Sequence, residues 1–197
     1  MMYNIIKHAT KKYCFNIENY YKTIKSDTIL ENKKQFNLLC KDGCRNYNTK
    51  YSCPPYSPNF TNLRIKYMFA HVFFFRVNLK NYPQIYNTIR MVNTVAKSKQ
   101  RYAINKISNN LLNDNIPHQI LENGSCRLCK KCAINFKENC RHPKIMRYSL
   151  ESTGVDVDAL CFMCFGLPLQ WYSNKNFPKY QGVLSAILCN IKRSIIN

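Results

Sequence analysis

The segment YMFAHVFFFRVNL, residues 67–79, is aromatic and β-branched along nearly its whole length. That composition over so short a run predicts a buried strand. His71 and Arg76 interrupt it, and it is far too short to cross a bilayer as a helix. Downstream, Ile85, Ile89, Val92, Ala96, Ala103, Ile107 and Leu111 recur near the 3.6 period and predict a long amphipathic helix over about 83–112. Pro83 suits its first turn, and Lys99 and Gln100 interrupt the stripe, so a bend or break is expected there. Residues 117–121 read as a short strand and 180–188 (YQGVLSAIL) as another buried one. Upstream, residues 12–39 are mixed and read as helical in part, with a stripe of Ile17, Tyr21, Ile24 and Thr28. Residues 40–60 are rich in Pro, Asn and Ser and read as a loop shaped around something. Ser149 is the expected helix cap for a segment that turns at Gly154 and continues as VDVDALCFMCF. The expectation is an α/β or α+β fold with a small central sheet, flanking helices and cysteine-rich loops at one end, within a single metal-binding domain spanning 1–197.

Two groups of cysteines set the chemistry. The first is Cys126, Cys129, Cys132 and Cys140, spaced C-x2-C-x2-C-x7-C; the second is Cys40, Cys44 and Cys53, spaced C-x3-C-x8-C with Pro54 and Pro55 following. The chain has 11 cysteines, an odd number that a fully paired disulfide framework cannot use. Its start, MMYNIIKHATKKYCF, has no apolar core of signal-peptide length, so a cytoplasmic location is expected, where clustered thiols mean metal or redox chemistry more often than disulfides.

Three thiols spaced three apart can wrap a compact inorganic core, because successive turns of chain deliver each sulfur to a different corner. C-x2-C-x2-C is the core of the bacterial ferredoxin run, whose thiolates hold a four-iron, four-sulfur cluster. Here the fourth cysteine lies farther on, so this is not a simple ferredoxin module, and the longer loop lets Cys140 return to the same cluster. Zinc is the competing metal. Structural zinc sites use two separated knuckles, and a third cysteine in immediate register fits one tetrahedral ion poorly. Around this group lie Arg127, Lys130, Lys131, Lys137, Arg141, Lys144 and Arg147, against Glu138 alone between residues 126 and 148. Such charge stabilises a reduced, more negative cluster, although it also fits ordinary surface bases.

Cys40, Cys44 and Cys53 offer three ligands, with a fourth position left for a distant residue, water or substrate, as in metal centres that do chemistry. Packed thiols beside a tight turn are the alternative. Cys161 and Cys164 form a C-x2-C pair in apolar surroundings that favour core packing over redox or ligand roles. Cys14 and Cys189 stand alone in apolar contexts and read as structural. Among His8, His71, His118 and His142, only His142 lies next to a cysteine loop. Five glycines and ten acids carry no nucleotide-binding loop, hydrolase triad or catalytic carboxylate pair.

The formal charge is +20, and between Asp42 and Asp114 there is no acid against 11 Lys and Arg. This stretch suits an acidic partner protein, a phosphorylated ligand or, less well, nucleic acid. Arg90, Lys97 and Arg101 share one helix face, which reads first as solvated and second as a docking face.

Taken in order, Cys40, Cys44, Tyr51-Ser-Cys-Pro-Pro-Tyr56, Cys126, Cys129, Cys132, Cys140-Arg-His-Pro143 and Ser149-Leu-Glu-Ser-Thr-Gly-Val-Asp-Val157 resemble a bacterial and archaeal family of predicted metal-binding proteins, a domain of unknown function. The resemblance spans about residues 40–157. It implies metal binding, foremost an iron–sulfur cluster in prokaryotes that are often anaerobic, and supplies no reaction. Cys161 and Cys164 lie outside its pattern. Glu151 and Asp156 fall within it, as turn-shaping carboxylates or as proton-transfer groups. The expected functions are electron transfer by a four-iron, four-sulfur protein, an enzyme using an open-coordinate three-cysteine cluster, or a zinc-stabilised nucleic-acid-binding module.

Overall fold

The computed structural model describes residues 2–10, 13–172 and 176–196. Among them, β1 (Met2–Ala9), β2 (Cys14–Lys25), β3 (Phe69–Asn78), β4 (His118–Glu122), β5 (Tyr148–Ser149) and β6 (Tyr180–Cys189) form one sheet in the order β1-β2-β3-β6-β4-β5. Neighbours are antiparallel except β4 and β5, which run parallel. The helices are α1 (Lys33–Lys41), α2 (Phe60–Arg64), α3 (Tyr86–Asn113) and α4 (Val157–Phe165). With a mixed sheet and helices on both faces, this is an α+β fold.

β3 lies at the centre of the sheet, flanked by β2 and β6. Its even positions Ala70, Val72 and Phe74 pack with α2 and α4, while Phe73, Phe75 and Val77 pack with α3. Both faces are dry, which is why the segment reads as an unbroken apolar run. Phe73, Phe74 and Phe75 are all essentially fully buried, and each contributes about 2–3 kcal/mol of transfer free energy.

α3 is unbroken from Tyr86 to Asn113, so the break expected at Lys99 and Gln100 does not occur. Gln100 continues the buried stripe from Ala96 to Ile104. Its Nε2 donates to the carbonyls of Phe73 (3.2 Å) and Val183 (2.8 Å), and its Oε1 accepts from Asn123 Nδ2 (2.7 Å). A polar side chain whose hydrogen bonds are met can occupy a core position. Pro83 lies before the first turn rather than in it.

The helical stripe expected in residues 12–39 is corrected. Residues 14–25 are strand β2, a 3-10 turn follows at Ser26–Thr28, and the helical part of the segment is α1 from Lys33; residue 12 lies outside the described residues. Ile17 and Tyr21 are four apart, a spacing that lands on one face of a helix and also on one face of a strand. β1 and β3 supply ladder partners on both sides of this segment, and that pairing settles it. β1, an edge strand with little burial, has no alternation to announce it.

Ser149 does not cap α4. It ends β5, and its Oγ accepts from Ser152 N (2.9 Å) to open the 3-10 turn Glu151–Thr153. Asp156 caps α4 instead, accepting from the N–H groups of Asp158 and Ala159. Gly154 sits at φ +93°, and a Cβ there would come within 2.7 Å of Lys33 Cα. The close approach lets Asn32 N donate to Gly154 O (2.7 Å), tying the start of α1 to this turn. Gly154→Ala is expected to cost about 2–3 kcal/mol, from left-handed backbone strain and overpacking together, measured as a lowered urea midpoint.

His71 is fully buried on β3. Its Nδ1 lies 2.6 Å from the Tyr21 hydroxyl and its Nε2 2.8 Å from Ile191 O. A neutral ring with its proton on Nε2 satisfies both, because the Tyr21 hydroxyl then donates to Nδ1. Burial holds its pKa below the ordinary value, opposed by the bond to Ile191 O. The unfolded chain therefore binds this proton at higher pH than the folded one. The stability His71 contributes is present above the unfolded pKa of about 6.5 and is lost as pH falls through the folded value. Denaturation midpoints should drop between about pH 7.5 and about pH 5.5, and His71→Gln should remove much of that drop.

Candidate metal centre

The run 123–147 leaves the end of β4 and returns to the start of β5. Its ends are held by the β4–β5 pairing and by Glu122, whose buried carboxylate accepts from Arg101 Nη2 (3.0 Å) and Arg147 Nη1 (2.5 Å). Arg101 comes from α3, so the loop is anchored to both sheet and helix. Inside it, the turn Ala133–Phe136 directly follows Cys132, and Pro143–Ile145 follows Cys140.

Cys126, Cys129, Cys132 and Cys140 line a single cavity, together with Lys50, Ser52, Arg141, His142 and Met146. All four are free thiols. Cys140 Sγ lies 3.9 Å from Met146 Sδ. Burial raises the Tyr148 pKa, and the Cys140 and Cys126 thiols raise it further. Among the described residues, no three His, Cys, Asp or Glu side chains are gathered tightly enough to hold one metal ion. The donor set around the cavity nonetheless fits a thiophilic metal or an iron–sulfur core chemically, since four cysteines, each a soft sulfur donor, line one space.

The second group is assembled from α1 and the loop after it. Cys40 lies in the last turn of α1, Cys44 is exposed just beyond, and Cys53 is buried in the Tyr51–Tyr56 segment. Burial first, then the nearby Cys44, raises the Cys40 pKa. Cys53 is raised by burial, with Cys44 and Cys40 adding to it and the Ser52 hydroxyl opposing. Deprotonation of Cys40 and of Cys53 is thus opposed by burial and by neighbouring thiols. Lys33 ties the segment after Cys53 to the turn at Ser152: its Nζ donates to Ser57 O, Ser57 Oγ, Pro58 O and Ser152 O. Burial lowers its pKa, opposed by Cys40, Glu31 and Cys53. Glu151, partly accessible yet set among buried atoms, has a raised pKa through desolvation, with Lys97 opposing.

The two cysteine segments touch. Lys50 Nζ donates to Ser125 Oγ (3.0 Å) and Cys126 O (3.1 Å), and Tyr51 Oη donates to Glu138 O (2.8 Å). Asn135 Nδ2 donates to Thr49 O (3.2 Å), and Cys126 N to Ser52 Oγ (3.1 Å). Lys33, Lys50, Ser52, Tyr148 and Met146 were not singled out from sequence. Ser52 stands beside a suspected ligand, but nothing in its type or spacing shows where its hydroxyl points.

The remaining cysteines divide. Cys161 and Cys164 are buried in the core beneath β3, with thiols pushed up to about 12 and about 11, by burial above all. Such thiols are inert, as packing residues are. Cys189 is buried, whereas Cys14 is exposed at the start of β2, against the expectation of a packed residue. On α3, Arg90 is exposed, but Lys97 is half-buried and Arg101 is held by Glu122, so the three bases do not form one solvated face. No helix among the described residues is long and apolar enough to cross a membrane.

No curated protein and no solved structure matches the chain. Residues 22–188, which include both cysteine groups, match the family described as predicted metal-binding protein (DUF2284). The chain belongs to this family of predicted metal-binding proteins.

Proposed function

We propose that the chain is an iron–sulfur protein, with a four-iron, four-sulfur cluster held by Cys126, Cys129, Cys132 and Cys140, that exchanges electrons with an acidic partner. The observation that carries this reading is the single cavity lined by all four thiols of the C-x2-C-x2-C-x7-C run. When bound, such a cluster supplies a one-electron carrier. The chain's own residues set its surroundings. Lys50 brings a positive charge to the cavity wall and pins the Cys126 peptide, and Arg141 and His142 stand at the rim. The charges of Lys50 and Arg141 favour the more negative, reduced state.

Arg127, Lys130, Lys131, Lys137, Arg141 and Lys144 are all exposed around this loop. They form a basic rim suited to an acidic redox protein of flavodoxin or ferredoxin type. Lys97 and Arg101, in the basic 43–113 stretch, are turned partly inward, so the rim is the better docking face. Protein prepared without oxygen should be brown, should bleach on reduction with dithionite and should give a cluster EPR signal. Its electron exchange with an acidic carrier should slow steeply with salt. A colourless protein holding only zinc overturns this reading.

A second reading is an enzyme whose reaction occurs at Cys40, Cys44 and Cys53. It is favoured by the exposure of Cys44 beside two more buried thiols, which leaves that group open to a solute. A spectral shift of this centre on adding an exogenous ligand supports the enzyme; no shift with any small ligand counts against it.

A further inference from the structure

Ser52 stands between the two cysteine groups. It is 1 % exposed. Its Oγ accepts the backbone N–H of Cys126 at 3.1 Å and lies 3.8 Å from Cys53 Sγ. A hydroxyl has one proton to donate and two lone pairs to accept with. With a lone pair committed to Cys126 N–H, its proton remains available to Cys53 Sγ. A metal-bound thiolate accepts such a proton far better than a neutral thiol does. Metal at Cys53 would therefore fix the hydroxyl and strengthen its hold on the Cys126 peptide, since linked hydrogen bonds polarise one another.

The other bonds across this junction act in the same direction. Thr49, Lys50 and Tyr51 contact residues 125, 126, 135 and 138, so the four residues before Cys53 brace much of the C-x2-C-x2-C-x7-C run. We propose that the two cysteine groups are halves of one composite metal centre, coupled through the Ser52 hydroxyl, so that metal in one half favours metal in the other. The proposal rests on the reading of these cysteines as metal ligands. Because coupling between two binding sites is reciprocal, each half strengthens the other by the same factor. Ser52 acts here as a positioning residue, not as a ligand.

The test is a double-mutant cycle on reduced, metal-free protein titrated anaerobically with Co2+, whose thiolate absorption reports occupancy. Cys53→Ala disables the three-cysteine half and should weaken Co2+ binding at Cys126, Cys129, Cys132 and Cys140 by about fivefold, within the usual range for coupled sites. Ser52→Ala should weaken it about as much, and Ser52→Ala combined with Cys53→Ala should add nothing, because both remove the same coupling. Ser52→Thr, which keeps the hydroxyl, should retain it. Multiplying effects in the double variant overturn the proposal, as does Co2+ affinity indifferent to Cys53→Ala. That last comparison decides the matter even if Ser52→Ala fails to fold. Wild-type protein that takes up no Co2+ overturns both the coupling and the metal reading, whereas normal uptake with independent effects overturns the coupling alone.

Discussion

Cys132→Ala protein, purified without oxygen, should lose its cluster absorption and bind iron more than about a hundredfold more weakly than wild type. Groups that merely orient metal ligands are worth about 10–100-fold in affinity, and removing a ligand costs more. Cys132 lines the cavity with the other three thiols, and the Ala133–Phe136 turn begins directly after it. The loss should be specific. Cys161→Ala removes a thiol as well, but one packed in the core and pushed up to about 12 by burial, so metal content should hold while stability falls modestly. Equal metal loss from both variants would mean that the sulfur atoms act through folding rather than through coordination.

Glu122→Ala should destabilise the protein by about 3 kcal/mol, toward the lower end of the range for breaking a buried ion pair, because Arg101 and Arg147 keep some access to water. The carboxylate is buried and accepts from both guanidinium groups, so its removal leaves two positive charges without their counter-ion, Arg147 keeping its hydrogen bond to Asn105 Oδ1. The substitution also removes the side-chain clamp at the base of the cysteine loop, leaving the β4–β5 backbone pairing to hold its ends. Reduced thermal stability should therefore come with faster loss of metal to a chelator. Glu122→Gln keeps the shape and one acceptor and should lie between wild type and alanine. A Glu122→Ala protein of unchanged stability would show that the loop is held by other contacts.

What the sequence disclosed follows physical lines. Strands β3, β4 and β6 and helix α3 were legible because packing against apolar layers writes itself into composition and period. β2 was misread because Ile17 and Tyr21 are spaced for either structure, and the choice depends on ladder partners that a local window does not contain. β1 was silent because an exposed edge strand needs no apolar alternation. Gln100 looked like a break because its type says polar, while its hydrogen bonds to Phe73 and Val183 carbonyls are tertiary.

The same division runs through the candidate site. The cysteines were visible because their spacing is local and matches what metal coordination would need. Glu122, Lys33, Lys50 and Ser52 were not, since each acts on partners at least twenty residues away in sequence. The contact between the 49–52 segment and the 125–138 loop belongs to this second kind. It joins the two cysteine groups, and nothing in either spacing announces it.

The central claim is that four sulfurs facing one cavity hold iron with inorganic sulfide. The direct measurement is iron, acid-labile sulfide and zinc per chain in oxygen-protected protein, before and after anaerobic reconstitution. The account predicts iron and sulfide in equal amounts, about four of each for every filled cluster, with negligible zinc. Protein that stays free of iron after reconstitution, or that carries zinc without sulfide, would contradict it.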